Sequence, residues 1–360
     1  MGFLQVEPLE YVHPSTYETW MTRGIPKKGD VLFTTEAPLA NVAQLDTSEK
    51  VVFAQRIIVL QPFSSDLDTT FLKYLLLSDS AQQRILEKGT GATVQGIKAS
   101  LLKLIEIKYP SILEQQRIVA ILDETFEGIA TAKASAEKNL QSTWELFEGY
   151  LESLFPLGVT GTGVRPLGEI ASFRNGVNFT KQSKGQSVPI IGVKDFKKNF
   201  WAPMEELDSV TMDGQLSAID AVQAGDILSV RSNGNPELIG RCILVPEHEG
   251  GVTHSGFTIR IRVESAVALP QYVCHYLKSQ AARRELVAGG TGTNIKSLNQ
   301  GTLASILVPL PPLVKQKRVI QTIEAMADEV DQLKCIYKTK LAALDELKQS
   351  LLHRAFNGDL

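Results

Sequence analysis

Side chains able to contact nucleic-acid bases are concentrated between Arg165 and Trp201. This stretch contains seven basic residues and two acidic ones. Arginine, lysine and asparagine make the hydrogen bonds that distinguish guanine and adenine edges, which makes the stretch and a nearby polar turn a candidate contact surface. A solvated lysine surface is the open alternative for any single residue. The candidate contacts are Arg174, Asn175, Asn178, Lys181, Lys194, Lys197, Lys198, Arg231, Asn233 and Asn235.

A Gly-Thr-Gly segment occurs twice, at residues 89–91 and 290–292. Neither copy continues into the Gly-Lys-Ser or Gly-Lys-Thr of a nucleotide-binding loop, so nucleotide binding is not predicted. The hydroxyl and amide side chains nearby suit phosphate or base-edge hydrogen bonds, although a glycine turn that caps a helix is the alternative. The candidates are Thr291, Thr293, Asn294 and Lys296 in the second copy, and Thr34, Thr35, Asn41, Thr90, Thr93, Gln95 and Lys98 in the first.

The chain offers no pattern for catalysis or metal binding. Its five histidines and three cysteines are scattered, without the paired spacing of a metal site. Asn235-Pro236-Glu237-Leu238 departs in its last two positions from the Asn-Pro-Pro-aromatic motif of amino-methyltransferases, and no glycine-rich cofactor loop accompanies it. The sequence therefore predicts no catalytic residue and no metal site.

The most informative feature is an internal duplication. Pro110, Gln115 and Phe155 recur as Pro311, Gln316 and Phe356, each 201 residues later and without a gap through about 65 residues; Arg117 likewise recurs as Arg318. Further upstream, residues 29–32 match residues 225–228 at an offset of 196. A period near 200 is too long for a solenoid, so it indicates two copies of a domain followed by a helix.

The two copies are unequal. The second opens with residues 165–170 and continues through residues 189–193, whereas the first has no counterpart of the segment from Leu167 to Val193. Subtracting the offset places that opening before residue 1. We therefore expect a first module truncated at its N-terminus by roughly 35 to 40 residues.

Apolar and small residues recur at spacings of 3, 4 or 7 along residues 114–155 and again along residues 315–356. This periodicity predicts two long amphipathic helices that pack along a heptad-like seam. In the domains, residues 226–231, 242–246 and 257–263 are rich in β-branched residues and predict strands, and residues 272–288 predict one short helix. The expected fold class is α+β, with two α/β domains and two long helices in an antiparallel coiled coil.

The composition is that of an ordinary globular protein, with 43% hydrophobic and 21% charged residues. A formal net charge of -3 is unusual for a protein that neutralises phosphates, so local charge matters more than the total. No apolar run is long enough to span a bilayer, and no secretory stretch opens the chain. We expect a cytoplasmic protein.

The order of domain, helix, domain, helix resembles the specificity subunits of type I restriction-modification systems. Leu167-Gly168-Glu169-Ile170 is similar to the start of a target recognition domain, and Gly225-Asp226-Ile227-Leu228 to its central strand. Residues 292–318 resemble the exit into the conserved helix, and residues 351–360 the family's terminus. The resemblance covers nearly the whole chain.

The resemblance implies a division of the chain into recognition and spacing parts. We expect a truncated target recognition domain at 1–113, a conserved helix at 114–155, a linker at 156–164, a second target recognition domain at 165–314, a second helix at 315–356 and a tail at 357–360. Each domain would read one half of a split double-stranded DNA target, and the paired helices would set the spacer.

The resemblance also implies partners that perform the chemistry. Methyltransferase subunits, typically two, would dock on the helices and bind S-adenosylmethionine, and restriction subunits would add cleavage that uses ATP and magnesium. This chain would need no cofactor and no membrane. Two other hypotheses remain open: an enzyme, such as a fused methyltransferase or nuclease, and a coiled-coil scaffold with duplicated domains that does not bind DNA.

Overall fold

The computed structural model describes residues 2, 4, 10–21, 24–91, 94–155, 163–180, 182–196, 199–288 and 296–357. The chain divides into two compact units. Unit 1 comprises residues 1–139 and 335–360, and unit 2 comprises residues 140–334. Both unit boundaries fall inside long helices, so each unit contains one domain together with parts of both helices.

Unit 1 is built around a small antiparallel sheet covered by helices. Its helices are α1 (Pro14–Trp20), α2 (Thr69–Leu77), α3 (Asp79–Lys88), α4 (Ala99–Leu102) and the first part of α5 (Ile112–Ser153). The strands β1 (Val31–Thr34), β2 (Val42–Gln44) and β3 (Ile57–Leu60) form, among the described residues, a three-stranded sheet in the order β2-β1-β3. The core of the unit includes apolar side chains of β1, α2 and the first part of α5.

Unit 2 has more strands in its described part. They are β4 (Gly163–Pro166), β5 (Ala171–Asn175), β6 (Ser187–Ile191), β7 (Asp208–Thr211), β8 (Ile227–Val230), β9 (Ser232–Asn233), β10 (Cys242–Leu244), β11 (Thr253–His254), β12 (Thr258–Val263), β13 (Lys296–Ser297) and β14 (Leu307–Leu310). Its helices are α6 (Pro270–Lys278), α7 (Gln280–Ala288), α8 (Gln300–Ser305), the last part of α5 and the first part of α9 (Leu313–Asn357), whose last part belongs to unit 1.

The central sheet of unit 2 has the order β10-β8-β12-β5, in which each strand is antiparallel to its neighbours. Every residue of β8 is buried, which explains why three of its four residues are apolar, with Ser229 as the exception. A separate sheet, β11-β6-β7, lies beside it. In register, β10, β8 and β12 match β2, β1 and β3 of unit 1, whereas the sheet of unit 1 contains no equivalent of β5 among the described residues.

One expectation about the helices of unit 2 is wrong. Residues 272–288 predict a single helix, but the structure breaks this segment at Ser279, whose backbone is extended with ψ at 155°. The Ser279 hydroxyl accepts a hydrogen bond from Ala282 N–H at 3.3 Å and so caps the start of α7. The break has a counterpart in unit 1, where Ser78 ends α2 and accepts from Ala81 N–H at the start of α3.

A fully buried glutamine ties each long helix to the domain that precedes it. In unit 1, Gln115 Oε1 accepts from Asp68 N–H at 2.8 Å, and Gln115 Nε2 donates to the carbonyls of Asp66 and Pro110, both at 2.8 Å. In unit 2, Gln316 accepts from Leu269 N–H at 2.8 Å and donates to the carbonyls of Val267 and Pro311. Both glutamines join the first turn of a long helix to the residue that caps a domain helix.

An aromatic pair secures the opposite end of each helix. In unit 1, Phe356 near the end of α9 packs edge-on against Phe71 with 5.3 Å between ring centroids. In unit 2, Phe155, just after α5, packs edge-on against Tyr272, also at 5.3 Å. Each domain therefore holds the start of the helix that follows it and the end of the other long helix, as the 201-residue repeat requires.

The two long helices run antiparallel within each unit. In unit 1, Lys133 Nζ of α5 pairs with Asp345 Oδ1 of α9 at 2.7 Å. In unit 2, the equivalent positions hold Lys334 and Trp144, and Lys334 Nζ lies 3.4 Å from the centre of the indole ring. The structure thus confirms the α+β fold with antiparallel long helices. No helix of the described residues is both long and apolar enough to cross a membrane.

Replacing Gln316 with alanine should lower the free energy of unfolding by about 1 to 3 kcal/mol. The change leaves backbone groups of Leu269 and Pro311 without their hydrogen-bond partner. Gln115→Ala should cost a similar amount in unit 1. Urea unfolding followed by circular dichroism measures both. Gln141→Ala, at an exposed helix position, is the matched control and should change stability by less than about 0.5 kcal/mol. Equal effects at Gln316 and Gln141 would contradict the role of the buried tie.

Candidate nucleic-acid interface

The two units build the same backbone arrangement where their central strands end. In unit 1, Thr35 N–H, just after β1, donates to the carbonyl of Arg56 at 2.8 Å, and Thr35 O accepts from Ile97 N–H at 2.9 Å. In addition, the backbones of Glu36 and Gly96 form an isolated antiparallel β-bridge. The end of the strand is therefore held between the turn that precedes β3 and the loop that follows the first Gly-Thr-Gly segment.

Unit 2 repeats these contacts with different side chains. Arg231 N–H, just after β8, donates to the carbonyl of Phe257 at 2.8 Å, and Arg231 O accepts from Leu298 N–H at 2.7 Å. Ser232 pairs with Ser297 where β9 meets β13. We call this arrangement the strand-end surface: residues 34–36, 56 and 96–98 in unit 1, and residues 231–233, 257 and 296–299 in unit 2.

The strand-end surface of unit 2 is extended by the end of β5, which lies at the same edge of the sheet. Asn175 Oδ1 accepts from Gln300 Nε2 at 3.1 Å. Beyond it, Val177 N–H donates to His254 O and Val177 O accepts from Gly256 N–H, both at 2.8 Å. The exposed Asn178 follows directly in this loop. The tertiary fold thus brings Asn175 and Asn178 to the edge that carries Arg231 and Asn233.

Gly176 allows this loop to pack closely. A β-carbon at this position would lie 2.2 Å from the carbonyl oxygens of both His254 and Ser255, which are backbone atoms that cannot move aside cheaply. Nearby, Arg231 Nη1 reaches the carbonyl of Gly256 at 3.4 Å. Close backbone packing, rather than a special dihedral angle, is therefore the reason for glycine at 176.

Two candidate cations are engaged by carboxylates. Arg174 pairs with Asp220, with its Nε atom 2.7 Å and its Nη2 atom 2.6 Å from Oδ1. Burial acts to raise the pKa of Asp220, but hydrogen bonds from Ser217 and Arg174 outweigh it and hold that pKa below its usual value. Lys194, in the short 3-10 helix beside β6, forms an ion pair with Asp208 that raises its pKa. Each of these two side chains therefore has a carboxylate partner within the folded chain.

A neutral histidine lies behind the strand-end surface of unit 2. His254 is 1% exposed, and its Nδ1 atom lies 2.9 Å from the Thr258 hydroxyl. Burial, aided by the positive charge of Arg260, lowers the pKa of His254 to about 4. This imidazole is therefore uncharged near neutral pH and supports the loop without adding positive charge.

The polar side chains of the turn in unit 2 are partly used to shape it. Asn233 Oδ1 accepts from Asn235 N–H at 2.8 Å, and Asn235 Oδ1 accepts from Glu237 N–H at 3.0 Å, where it caps a 3-10 helix. These contacts engage the side-chain oxygens, whereas an amide side chain also carries two donors on its nitrogen. Asn233 lies on the strand-end surface, and Asn235 lies two residues beyond it.

In unit 1, too, some candidate side chains form hydrogen bonds that shape loops. Thr34 donates its hydroxyl to the carbonyl of Pro38 at 2.6 Å and accepts from Asn41 N–H at 2.9 Å, so it closes a loop. The hydroxyl of Thr35 donates to the carbonyl of Arg56 at 3.1 Å. Three further candidates lie on the returning loop. Thr90 pairs through its backbone with Gly96, Gln95 Nε2 donates to the carbonyl of Leu86 at 3.3 Å, and Lys98 is exposed at the start of α4.

Several candidates lie outside the described residues: Lys181, Lys197, Lys198, Thr93, Thr291, Thr293 and Asn294. Lys296 is described only through its backbone, which belongs to β13. Their contact roles remain predictions from sequence.

Sequence reasoning missed two exposed residues of the strand-end surface, Arg56 and Phe257. Each precedes the strand that pairs with the central strand, and they are 201 residues apart, which is a signal that the repeat carried. In contrast, no group of three histidine, cysteine, aspartate or glutamate side chains that could hold a metal occurs within the described part of the chain.

Replacing Gly176 with alanine should destabilise unit 2 by about 1 to 3 kcal/mol, because the new methyl group overlaps two backbone carbonyls. Thermal unfolding of the full chain measures the loss. Gly234→Ala is the matched control, since no heavy atom lies within 4 Å of a β-carbon built there. A Gly176→Ala protein as stable as the control would show that the loop tolerates displacement.

This chain is similar to curated specificity subunits of type I restriction enzymes. It is 23% identical over 315 residues to the StySPI type I restriction enzyme specificity subunit of Salmonella potsdam, covering 82% of this chain and 66% of that one. It is 24% identical over 314 residues to the EcoKI specificity subunit of Escherichia coli K12, covering 81% and 65%. The chain thus spans slightly less than two thirds of the length of these curated relatives.

Two solved structures share the fold. One is a chain of a type I R-M system studied for complex assembly and conformational transition, with a TM-score of 0.76, 20% identity and coverage of 93% of this chain and 83% of that one. The other is the HsdS subunit from Thermoanaerobacter tengcongensis, with a TM-score of 0.62, 22% identity and coverage of 93% and 82%.

The family model for the type I restriction modification DNA specificity domain matches residues 21–139 and again residues 161–338, which together make up most of the chain. The two matches fall on the two copies of the repeat, and both include a strand-end surface. The chain therefore belongs to the family of type I restriction modification DNA specificity domains.

Proposed function

We propose that this chain is a non-catalytic DNA-binding specificity subunit that reads a bipartite target, one half with each unit. The observation that carries the proposal is that both copies of the repeat match the specificity-domain family and hold the end of the central strand with the same backbone contacts. The strand-end surface has the same main-chain geometry in both units but carries different side chains. Such a pair of surfaces is suited to reading two unlike half-sites.

The long helices give this reader its second role, as a spacer and a docking platform. Both domains are tied to helix ends by a buried glutamine and an aromatic pair, so helix length sets the separation of the half-sites. Two methyltransferase subunits dock on these helices, and restriction subunits join the complex. S-adenosylmethionine, ATP and magnesium are bound by those partners, and this chain binds no cofactor.

The two readers contribute unequally. The described part of unit 2 adds β5 and the β11-β6-β7 sheet to the elements that it shares with unit 1, and with them Arg174, Asn175, Asn178 and Lys194. Unit 1 reads with the strand-end surface that both units share. We therefore expect the second half-site to be read over more base pairs than the first.

Methylome sequencing of a host that carries this chain and its methyltransferase subunit tests the proposal. A methylated motif in two parts separated by a fixed spacer is the expected result, because two readers are held at a set distance. A host without the chain is the control and should lack the motif. Methylation that does not depend on the chain, or a chain that does not co-purify with the methyltransferase subunit, would contradict the proposal.

Substituting Lys194, Lys197 and Lys198 together with alanine should weaken DNA binding for all sequences, because lysines near the duplex neutralise phosphates. The slope of log affinity against log salt should fall by up to about 3, which fluorescence anisotropy at several salt concentrations measures. The matched control is Lys317, Lys338 and Lys340, exposed on α9, changed together to alanine. Unchanged DNA affinity in the first variant would favour a scaffold that does not use this surface.

A further inference from the structure

Arg56 and Phe257 occupy the same place in the two units. Each lies one residue before the strand that pairs antiparallel with the central strand, at Ile57 in β3 and Thr258 in β12. The carbonyl oxygen of each accepts the N–H of the first residue beyond the central strand, Thr35 or Arg231, at 2.8 Å in both units. The backbone position is therefore conserved between the copies while the side chain has changed completely.

Both positions are firmly held and yet exposed. In unit 1, the Thr35 hydroxyl adds a second hydrogen bond to the Arg56 carbonyl at 3.1 Å. In unit 2, Ser232 N–H adds a second one to the Phe257 carbonyl at 3.3 Å, and Phe257 N–H donates to the Ser255 hydroxyl. The side chain of Arg56 is 62% exposed, and Phe257 is 61% exposed. A rigid turn thus presents a side chain that a partner can reach without a loop rearrangement.

The surroundings of Arg56 favour a base edge over a phosphate. Its Nε atom lies 2.8 Å from Glu36 Oε1, and Glu36 belongs to the same strand-end surface. A carboxylate beside the guanidinium repels phosphate oxygens, whereas it leaves most of the five arginine donors able to bond the O6 and N7 atoms of guanine.

Phe257 cannot form those hydrogen bonds, and its neighbours in the chain are polar or engaged by polar groups. Ser255 before it and Thr258 after it are buried, and Arg231 reaches the adjoining Gly256 carbonyl. An apolar side chain at the edge of a reading surface suits the 5-methyl group of thymine, the apolar feature of the major groove.

We propose that Arg56 and Phe257 are paired base-reading positions, with Arg56 selecting guanine in the first half-site and Phe257 selecting thymine in the second. The inference rests on the proposed function and deepens it. It assigns equivalent residues in the two units to different bases, one read by hydrogen bonds and the other by an apolar contact. The two half-sites then differ in sequence even where the two backbones coincide.

The test for Arg56 is selection of bound sequences from a randomised duplex library by the full chain with its methyltransferase subunit. Arg56→Ala should reduce guanine preference at one position of the first half-site by roughly tenfold and leave the second half-site unchanged. Arg56→Lys should lose less of the preference than Arg56→Ala, because lysine still donates to guanine but lacks the planar fork. A uniform fall in affinity for all sequences in Arg56→Ala, or an unchanged guanine preference in that variant, would overturn the assignment.

The test for Phe257 compares thymine with uracil at each position of the selected second half-site. The wild-type complex should bind a uracil duplex several-fold more weakly at one position, and Phe257→Ala should bind both duplexes equally. Phe63→Ala, which removes a fully exposed phenylalanine, is the matched control and should keep the discrimination. Equal binding of thymine and uracil by the wild type would overturn the role of Phe257.

The two levels of the proposal fail in different ways. If the wild-type complex selects no sequence at all, the proposed function fails and the inference falls with it. If the wild type selects a bipartite site and the Arg56 and Phe257 variants select the same site, only the inference fails. Thermal unfolding of each variant shows whether any lost preference comes from a misfolded domain.

Discussion

A buried glutamine in the first turn of each long helix is the contact on which the rest of the architecture depends. Gln115 and Gln316 are fully buried. The side-chain amide of each forms hydrogen bonds with backbone groups at the start of a domain helix and just before the long helix. A backbone group left unpaired in such a place is costly, so the helix has one favourable position relative to its domain. The aromatic pair at the other helix end repeats this constraint, which explains why helix and domain recur together in the repeat.

The two domains share the backbone of the strand-end surface but present different side chains on it. The backbone hydrogen bond from Thr35 N–H to the Arg56 carbonyl has its equivalent from Arg231 N–H to the Phe257 carbonyl. In protein–DNA complexes, sequence is read largely by side-chain contacts to base edges. A duplicated domain can therefore acquire a second specificity without a new fold.

The two units also differ in the partner of the buried aspartate that precedes the central strand. In unit 2, Asp226 is 1% exposed and accepts two hydrogen bonds at 2.7 Å from Arg262. In unit 1, the matching Asp30 meets Gln61, which is neutral. Both aspartates also accept a backbone N–H three residues earlier at 2.7 Å. The turn before the central strand is thus the constant element, and the ion pair is an addition of the larger sheet.

The sequence by itself determined the duplication, the two long helices and the family, because periodic apolar spacing and a fixed offset between equivalent residues are properties of the chain order. It also located the polar turn around Asn233. It did not reveal the break at Ser279, because the apolar pattern of residues 272–288 continues across a residue whose hydroxyl caps the next helix. Only the tertiary structure decided which polar residues share a surface. Strand pairing brings Asn175 and Arg231 to one edge of the sheet, and folding places Arg174 in an ion pair with Asp220. It alone placed Arg56 and Phe257, because exposure at a turn depends on contacts between segments distant in sequence.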